Sequence, residues 1–441
     1  MAGAIAWQGG DFDAALAQAR STGRSLFLYW GANWCPPCNR VKSEIFARTE
    51  FAQRMQQLLP FWLDGDAPGA QATAERLRLR SYPTLVLFTP GGREITRLPC
   101  ELDGELFIEA LDAALDASRS AAESLQAALD GSRELAPEEW TLLANYSWDT
   151  DEGVILGQRE LAPTLQALAA ASTDARAAAR LRLHALVASA ASGLDAEAAA
   201  FVQQVCADPA LARANMDIFG NSGHLLARAA GPQQAALAQS MATAAKAWAA
   251  DTWLSQPDRL TATRLQMRMA RLGADLPNMP ERVRAAVQEA LADAESPYQR
   301  HTTVNTAVSA LNDAGLHAEA EALLKDELAR AHSPYYFMLS LAGAARRRGD
   351  TAAVLHWYEQ AWRGATGPAT RLQWAATWLL ALADLAPERL EAAAESVMPD
   401  VLAAGGLHQR NRTQAQKMMS KLAGQPAQGP AVAALLKALQ A

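Results

Sequence analysis

At 441 residues the chain is too long for one ordinary core, so two or three domains are expected. Half of its residues are apolar and a fifth are charged, the composition of a soluble globular protein. A net charge of −7 is mild at this length and argues against general affinity for nucleic acid or anionic membrane.

The first ~117 residues alternate helix and strand signals. Residues 11–23 space apolar side chains for a helix, with Asp11 as N-cap and Gly23 as stop. The apolar run 25–30 suits a strand buried on both faces, and the segment "WCPPC" follows it and opens a helix through about Ala47. Residues 61–66 read as a second strand and 70–80 as a helix. Two strand runs then flank Pro90-Gly91-Gly92 over 84–98, a hairpin signal, and an amphipathic helix spans 104–118. Strand–helix–strand units imply parallel pairing, and the hairpin adds an antiparallel strand, giving a mixed sheet with helices on both faces.

Beyond residue 119 no strand pattern appears. Gly315 and Gly349 lie 34 residues apart in similar surroundings, and "SPY" recurs at Ser296 and Ser333. A 34-residue spacing is the period of tetratricopeptide helix–turn–helix units, so an all-α helical-repeat or solenoid region is expected, tetratricopeptide-like at least over 296–365. No apolar run approaches the ~18 residues of a membrane span. The best candidate, 374–386, is broken by Thr377 and Asp384. The N-terminus lacks the basic and long apolar segments of a secretory signal, which places the chain in the cytoplasm if Met1 is its native start, or in the periplasm if a signal has been removed.

The chemistry concentrates at Cys35 and Cys38. A C-x-x-C opening a helix sets the first sulfur against unpaired N–H groups, which favours the thiolate, and puts the second sulfur one turn on. Pro36 and Pro37 are tolerated there because first-turn N–H groups have no helical partner. Half of a metal site and two inert buried cysteines are the other readings. Against metal, the first 118 residues contain no histidine, and Cys100 and Cys206 stand alone. Against inert burial, Trp34 and the two prolines favour an exposed turn.

"YWGANWCPPC" together with "SYPTLVLF" resembles the thioredoxin-fold family, over about residues 4–118. The resemblance implies an α/β thioredoxin fold in which Cys35 is the nucleophile and Cys38 the resolving thiol. It also implies that Pro83 is cis, that Trp34, Pro36 and Pro37 flank the sulfurs, and that Tyr82, Pro83 and Thr84 form the substrate-binding turn. Thioredoxin's buried aspartate and lysine are replaced here by Tyr29 and Trp62, and Asp64, Asp66 and Glu44 are the carboxylates available to substitute. The expected function is thiol–disulfide exchange on protein clients with a redox partner. No cofactor is expected beyond the cysteine pair, and the 119–441 region would position clients. A helical scaffold or holdase without redox turnover is the alternative.

Among the lesser signals, Cys100 is placed near the pair and reads as a small buried residue, and Cys206 as core. Residues 145–153 read as a helix end and turn near the junction, without the order of a calcium loop. Trp357, Trp362, Trp374 and Trp378 read as core packing or as the lining of a peptide groove.

Overall fold

The computed structural model describes residues 5–404, 407–425 and 429–440. α1 (Phe12–Thr22) begins where Asp11 accepts from the Ala14 N–H at 2.7 Å and ends at Gly23 in left-handed conformation. β1 (Leu26–Gly31) is buried along its whole length. α2 (Pro36–Arg40) continues as a π-helical turn, Val41–Ile45, and is followed by α3 (Thr49–Gln57). The expected single helix is therefore widened at its middle, where the Phe46 N–H reaches back five residues to the Val41 carbonyl.

β2 (Leu59–Asp64) lies two residues earlier than its pattern suggests. Parallel pairing with β1 sets Leu26 beside Leu59, and the Gly65 N–H closes the ladder on the Gly31 carbonyl. α4 (Ala70–Arg76), β3 (Thr84–Phe88), β4 (Glu94–Leu98) and α5 (Gly104–Asp116) complete the unit. The sheet order is β2-β1-β3-β4, with β3 antiparallel to both neighbours. Period-2 alternation divides β1 between two cores. Leu26, Leu28 and Trp30 pack with Phe12 and Phe61, while Phe27 and Tyr29 pack with Val41, Phe51 and Phe107.

From Ala121 onward the described residues form helices and no strand. The 34-residue repeat is two helical hairpins: Pro297–Asp313 with His317–Glu327, and Pro334–Arg347 with Thr351–Gly364. Gly315 (φ 80°) and Gly349 (φ 72°) supply the left-handed residue at each turn. No described helix is long and apolar enough to cross a membrane.

The second core of the sheet does not stop at α5. It continues through Leu125, Trp140 and Leu143 to Trp374, Trp378 and Leu382 near the far end of the chain. Arg97 fixes the junction. Its fully buried guanidinium bonds Glu94 and the carbonyls of Leu77, Arg78 and Thr150, and its own carbonyl accepts from the Ser147 N–H. The 145–153 segment is thus a contact between the two regions, with a short 3-10 turn at Trp148–Thr150.

Candidate dithiol site

The β1–α2 connection carries the cysteine motif. Cys35 is the N-cap of α2, and its Sγ accepts from the Cys38 N–H at 3.3 Å. Pro36 and Pro37 occupy the first helical turn, Pro36 buried and Pro37 exposed. Both cysteines are free thiols. The Tyr82–Pro83 bond is cis, Thr84 Oγ1 donates to the Ser81 carbonyl at 2.8 Å, and the Cys100 thiol donates to the Pro83 carbonyl at 3.7 Å. Trp34 meets Tyr82 edge-on at 5.9 Å. The sequence-predicted residues therefore gather in one place, with Cys100 beside them, while Cys206 packs in a separate helical core.

Electrostatics separate the two sulfurs. Burial pushes the Cys35 thiol well up, reinforced by the neighbouring Cys38. Burial acts on Cys38 as well, but the closeness of Cys35, the Ala32 backbone, Tyr29 and Lys42 outweighs it and holds Cys38 below the ordinary thiol value. Negative charge on the pair is thus favoured at Cys38 in this arrangement, whereas helix-terminus reasoning alone favours Cys35. Burial does not separate them, since both sulfurs are buried; the interaction between the two raises Cys35 and lowers Cys38, and the Ala32 backbone and Lys42 add to the lowering of Cys38.

The departures from thioredoxin have a structural counterpart. Tyr29 is buried beside Cys38, its hydroxyl has no partner at hydrogen-bonding geometry, and its ring stacks on Trp62 at 6.3 Å. Lys42 supplies a positive charge that favours the Cys38 thiolate, with its Nζ 5.0 Å from the Trp62 ring centroid. None of the three candidate carboxylates hydrogen-bonds to either sulfur. Asp64 accepts from the Asp66 N–H at 3.1 Å. Glu44 lies near Arg40 and Asp258, its carboxyl pushed up by burial. Asp66 accepts from the N–H and the Oγ1 of Thr370, at 2.9 and 2.6 Å.

Thr370 introduces the feature that sequence reading missed: distant helices cover the motif. Trp34 donates through Nε1 to Thr370 Oγ1 at 2.8 Å, stacks on Tyr336 at 6.1 Å and meets Trp374 edge-on at 5.1 Å. The Arg410 guanidinium sits 4.6 Å from the Tyr82 ring centroid and 5.8 Å from that of Trp34. His332 Nε2 donates to the Asn33 carbonyl at 3.0 Å. Apart from Trp374, these helical residues carry no local signal, and the histidines have no metal-ligand spacing. Of the four tryptophans singled out, Trp374 packs on the motif, Trp362 and Trp378 stack on each other at 4.9 Å, and Trp357 is half-buried.

Beside the motif, Arg40 pairs with Asp258 at 2.6 Å, and a cavity of about 220 Å³ opens between Pro36, Pro37, Cys100 and the helix Pro297–Asp313. Cys35 does not line it. Among the described residues, no group of three or more His, Cys, Asp or Glu is arranged to hold a metal.

Residues 12–115 match the family model described as a thioredoxin-like domain. Over 106 residues the chain is 31% identical to the thiol:disulfide interchange protein DsbD 1 of Pseudomonas aeruginosa, a match covering 23% of this chain and 18% of that relative. This chain therefore spans less than a fifth of that relative's length. Among solved structures, a thioredoxin from Thermus thermophilus aligns over 26% of this chain and 88% of its own, at 23% identity and a TM-score of 0.24. A DsbH oxidoreductase aligns over 25% and 87%, at 20% identity and a TM-score of 0.23. The chain carries, over residues 12–115, a thioredoxin-like domain joined to a long all-helical region.

Proposed function

We propose that this protein is a thiol–disulfide oxidoreductase working through Cys35 and Cys38 on protein clients. The observation that carries the reading is the pair itself: two free thiols one helical turn apart, Cys35 at the N-cap, next to the cis Tyr82–Pro83 bond. The similarity of residues 12–115 to a thioredoxin-like domain, and to part of a thiol:disulfide interchange protein, supports it.

In the reducing direction, the Cys38 thiolate takes the proton of Cys35, and Cys35 attacks one sulfur of a client disulfide; the proton then passes on to the departing client thiolate. A mixed disulfide forms and the other client sulfur leaves as thiolate. Cys38, the more acidic thiol here, then attacks Cys35 Sγ. The Cys35–Cys38 disulfide forms, the second client sulfur leaves, and two electrons have passed to the client. An oxidised pair runs the same steps in reverse. The pair is its own redox group, so the exchange calls for no further cofactor. Trp34, Pro36, Pro37, Tyr82, Pro83 and Thr84 shape the approach to it. The Tyr82 backbone makes no hydrogen bond among the described residues, which leaves it available to an extended client chain.

We take residues 1–118 as the redox unit and 119–441 as the region that positions clients or a redox partner, tetratricopeptide-like at least over 296–365. Cys35→Ser should lower protein-disulfide exchange at least about a hundredfold, the scale of losing an activated nucleophile. Cys38→Ser should accumulate the mixed disulfide. Unchanged exchange in Cys35→Ser would refute the reading. Client binding that survives loss of both cysteines, with no exchange in the wild type, would establish a scaffold instead.

A further inference from the structure

In this fold Trp34 and Tyr82 border the face from which a client would approach Cys35, and here that face is already occupied. Trp34 is 5% exposed, Cys35 2% and Cys38 0%. The occupants belong to helices Pro334–Arg347, Pro368–Leu385 and Gln409–Ala423, all from the last third of the chain. Tyr336 and Trp374 supply the apolar contact, and Arg410 lies over the aromatic pair.

A polar chain fastens the contact. Trp34 Nε1 donates to Thr370 Oγ1, which donates to the Asp66 carboxylate. The same carboxylate accepts the Thr370 N–H at the start of helix Pro368–Leu385. Gly367, the N-cap of that helix, has φ 88°, and a Cβ there would collide with the Asp66 side chain. A side chain at 367 is therefore excluded both by the backbone conformation and by the fastening itself. A second tie lies at α4, where Glu75 bonds His408 Nδ1 at 2.9 Å and Arg412 at 2.7 Å. The tethers near residues 97–150 sit beside the covalent connection, whereas these sit at the opposite end of the helical region. The neighbouring cavity offers no bypass, since Cys35 does not border it.

We propose that these C-terminal helices are a resting cover on the dithiol face, and that a client or redox partner must displace them before Cys35 can react. The proposal rests on the redox reading above and adds that the helical region holds the enzyme closed at rest. The cover engages side chains and leaves the Tyr82 backbone unpaired.

The test is the alkylation rate of Cys35 by iodoacetamide in the reduced full-length chain, read by mass spectrometry, native against urea-unfolded. Native wild-type Cys35 should react at least about a hundredfold more slowly than in the unfolded chain, as for a group reached through local opening. Thr370→Val, which keeps shape but removes both hydrogen bonds of the hydroxyl, should speed native alkylation about tenfold. Gly367→Ala should do the same by a different route, with circular dichroism and the unfolding midpoint reporting that the fold persists. Native wild-type alkylation at the unfolded rate would overturn the cover. So would folded variants whose Cys35 stays as slow as the wild type while the wild type exchanges protein disulfides rapidly. Fast alkylation in the variants with no disulfide exchange in any form would leave the cover standing and remove the redox reading.

Discussion

Cys35 and Cys38 differ in how much of their surroundings stabilises charge, and that difference sets their chemistry. Burial raises both thiols, but the neighbouring Cys35, the Ala32 backbone, Tyr29 and Lys42 favour the Cys38 thiolate enough to bring it down, while Cys35 stays pushed up. Tyr29 cannot accept a proton as a carboxylate would; its own ionisation is pushed far up by burial and by the nearby thiols. It stands beside Cys38 in the place where thioredoxin has an aspartate, with its hydroxyl otherwise unpartnered. Tyr29→Phe should therefore raise the Cys38 pKa, visible as thiolate ultraviolet absorbance appearing at higher pH; an unchanged titration would remove Tyr29 from the exchange. The cysteines were legible from their spacing at a helix start, and the place of Trp34 and the cis bond before Pro83 from the resemblance to the thioredoxin-fold family. The Asp66–Thr370 bond was not, because its partners stand 304 residues apart and neither sits in a recognisable pattern.

Elements join through a few buried charges whose loss is measurable. Arg97 on β4 holds Glu94 and three carbonyls from two other segments. Arg97→Met leaves that carboxylate and those carbonyls unmatched and should cost about 3 kcal/mol, read as a lower denaturant midpoint. Glu139, on the helix Pro137–Ala144, is buried, which opposes its ionisation. Bonds from Arg133 at 2.6 and 2.7 Å, with the Ala136 N–H and Ser124, nevertheless hold its carboxyl down at about 2. Because the folded value lies below the unfolded one, the stabilisation is complete above about pH 4.5 and is lost as pH falls toward 2. It is on the order of 2 kcal/mol, so Glu139→Gln should flatten the acid limb of the stability curve across that window. Strands and caps were readable from short apolar runs, the Pro90-Gly91-Gly92 turn, and residues such as Asp11 and Gly23. The early start of β2 and the π turn after α2 were not, since sheet register and helix packing, rather than local spacing, place them.

Across the whole molecule, the helical region leaves the thioredoxin-like domain beside β4 and α5 and returns to it at α2 and α4. Periodicity and the glycine spacing revealed that this region is helical and partly repetitive. They carried no information about where its far end docks, because docking depends on the summed turn of many helices. The return explains why a motif with an exposed-turn signature has both of its sulfurs buried. Whether these sulfurs form a working redox couple is measured by equilibrating the full-length chain against glutathione buffers with mass-spectrometric readout. A reversible two-electron Cys35–Cys38 disulfide is expected, with a midpoint between roughly −270 and −120 mV, the span from thioredoxin-like to strongly oxidising pairs. A chain that forms no reversible Cys35–Cys38 disulfide at any glutathione ratio, even with Thr370→Val or Gly367→Ala, would contradict it.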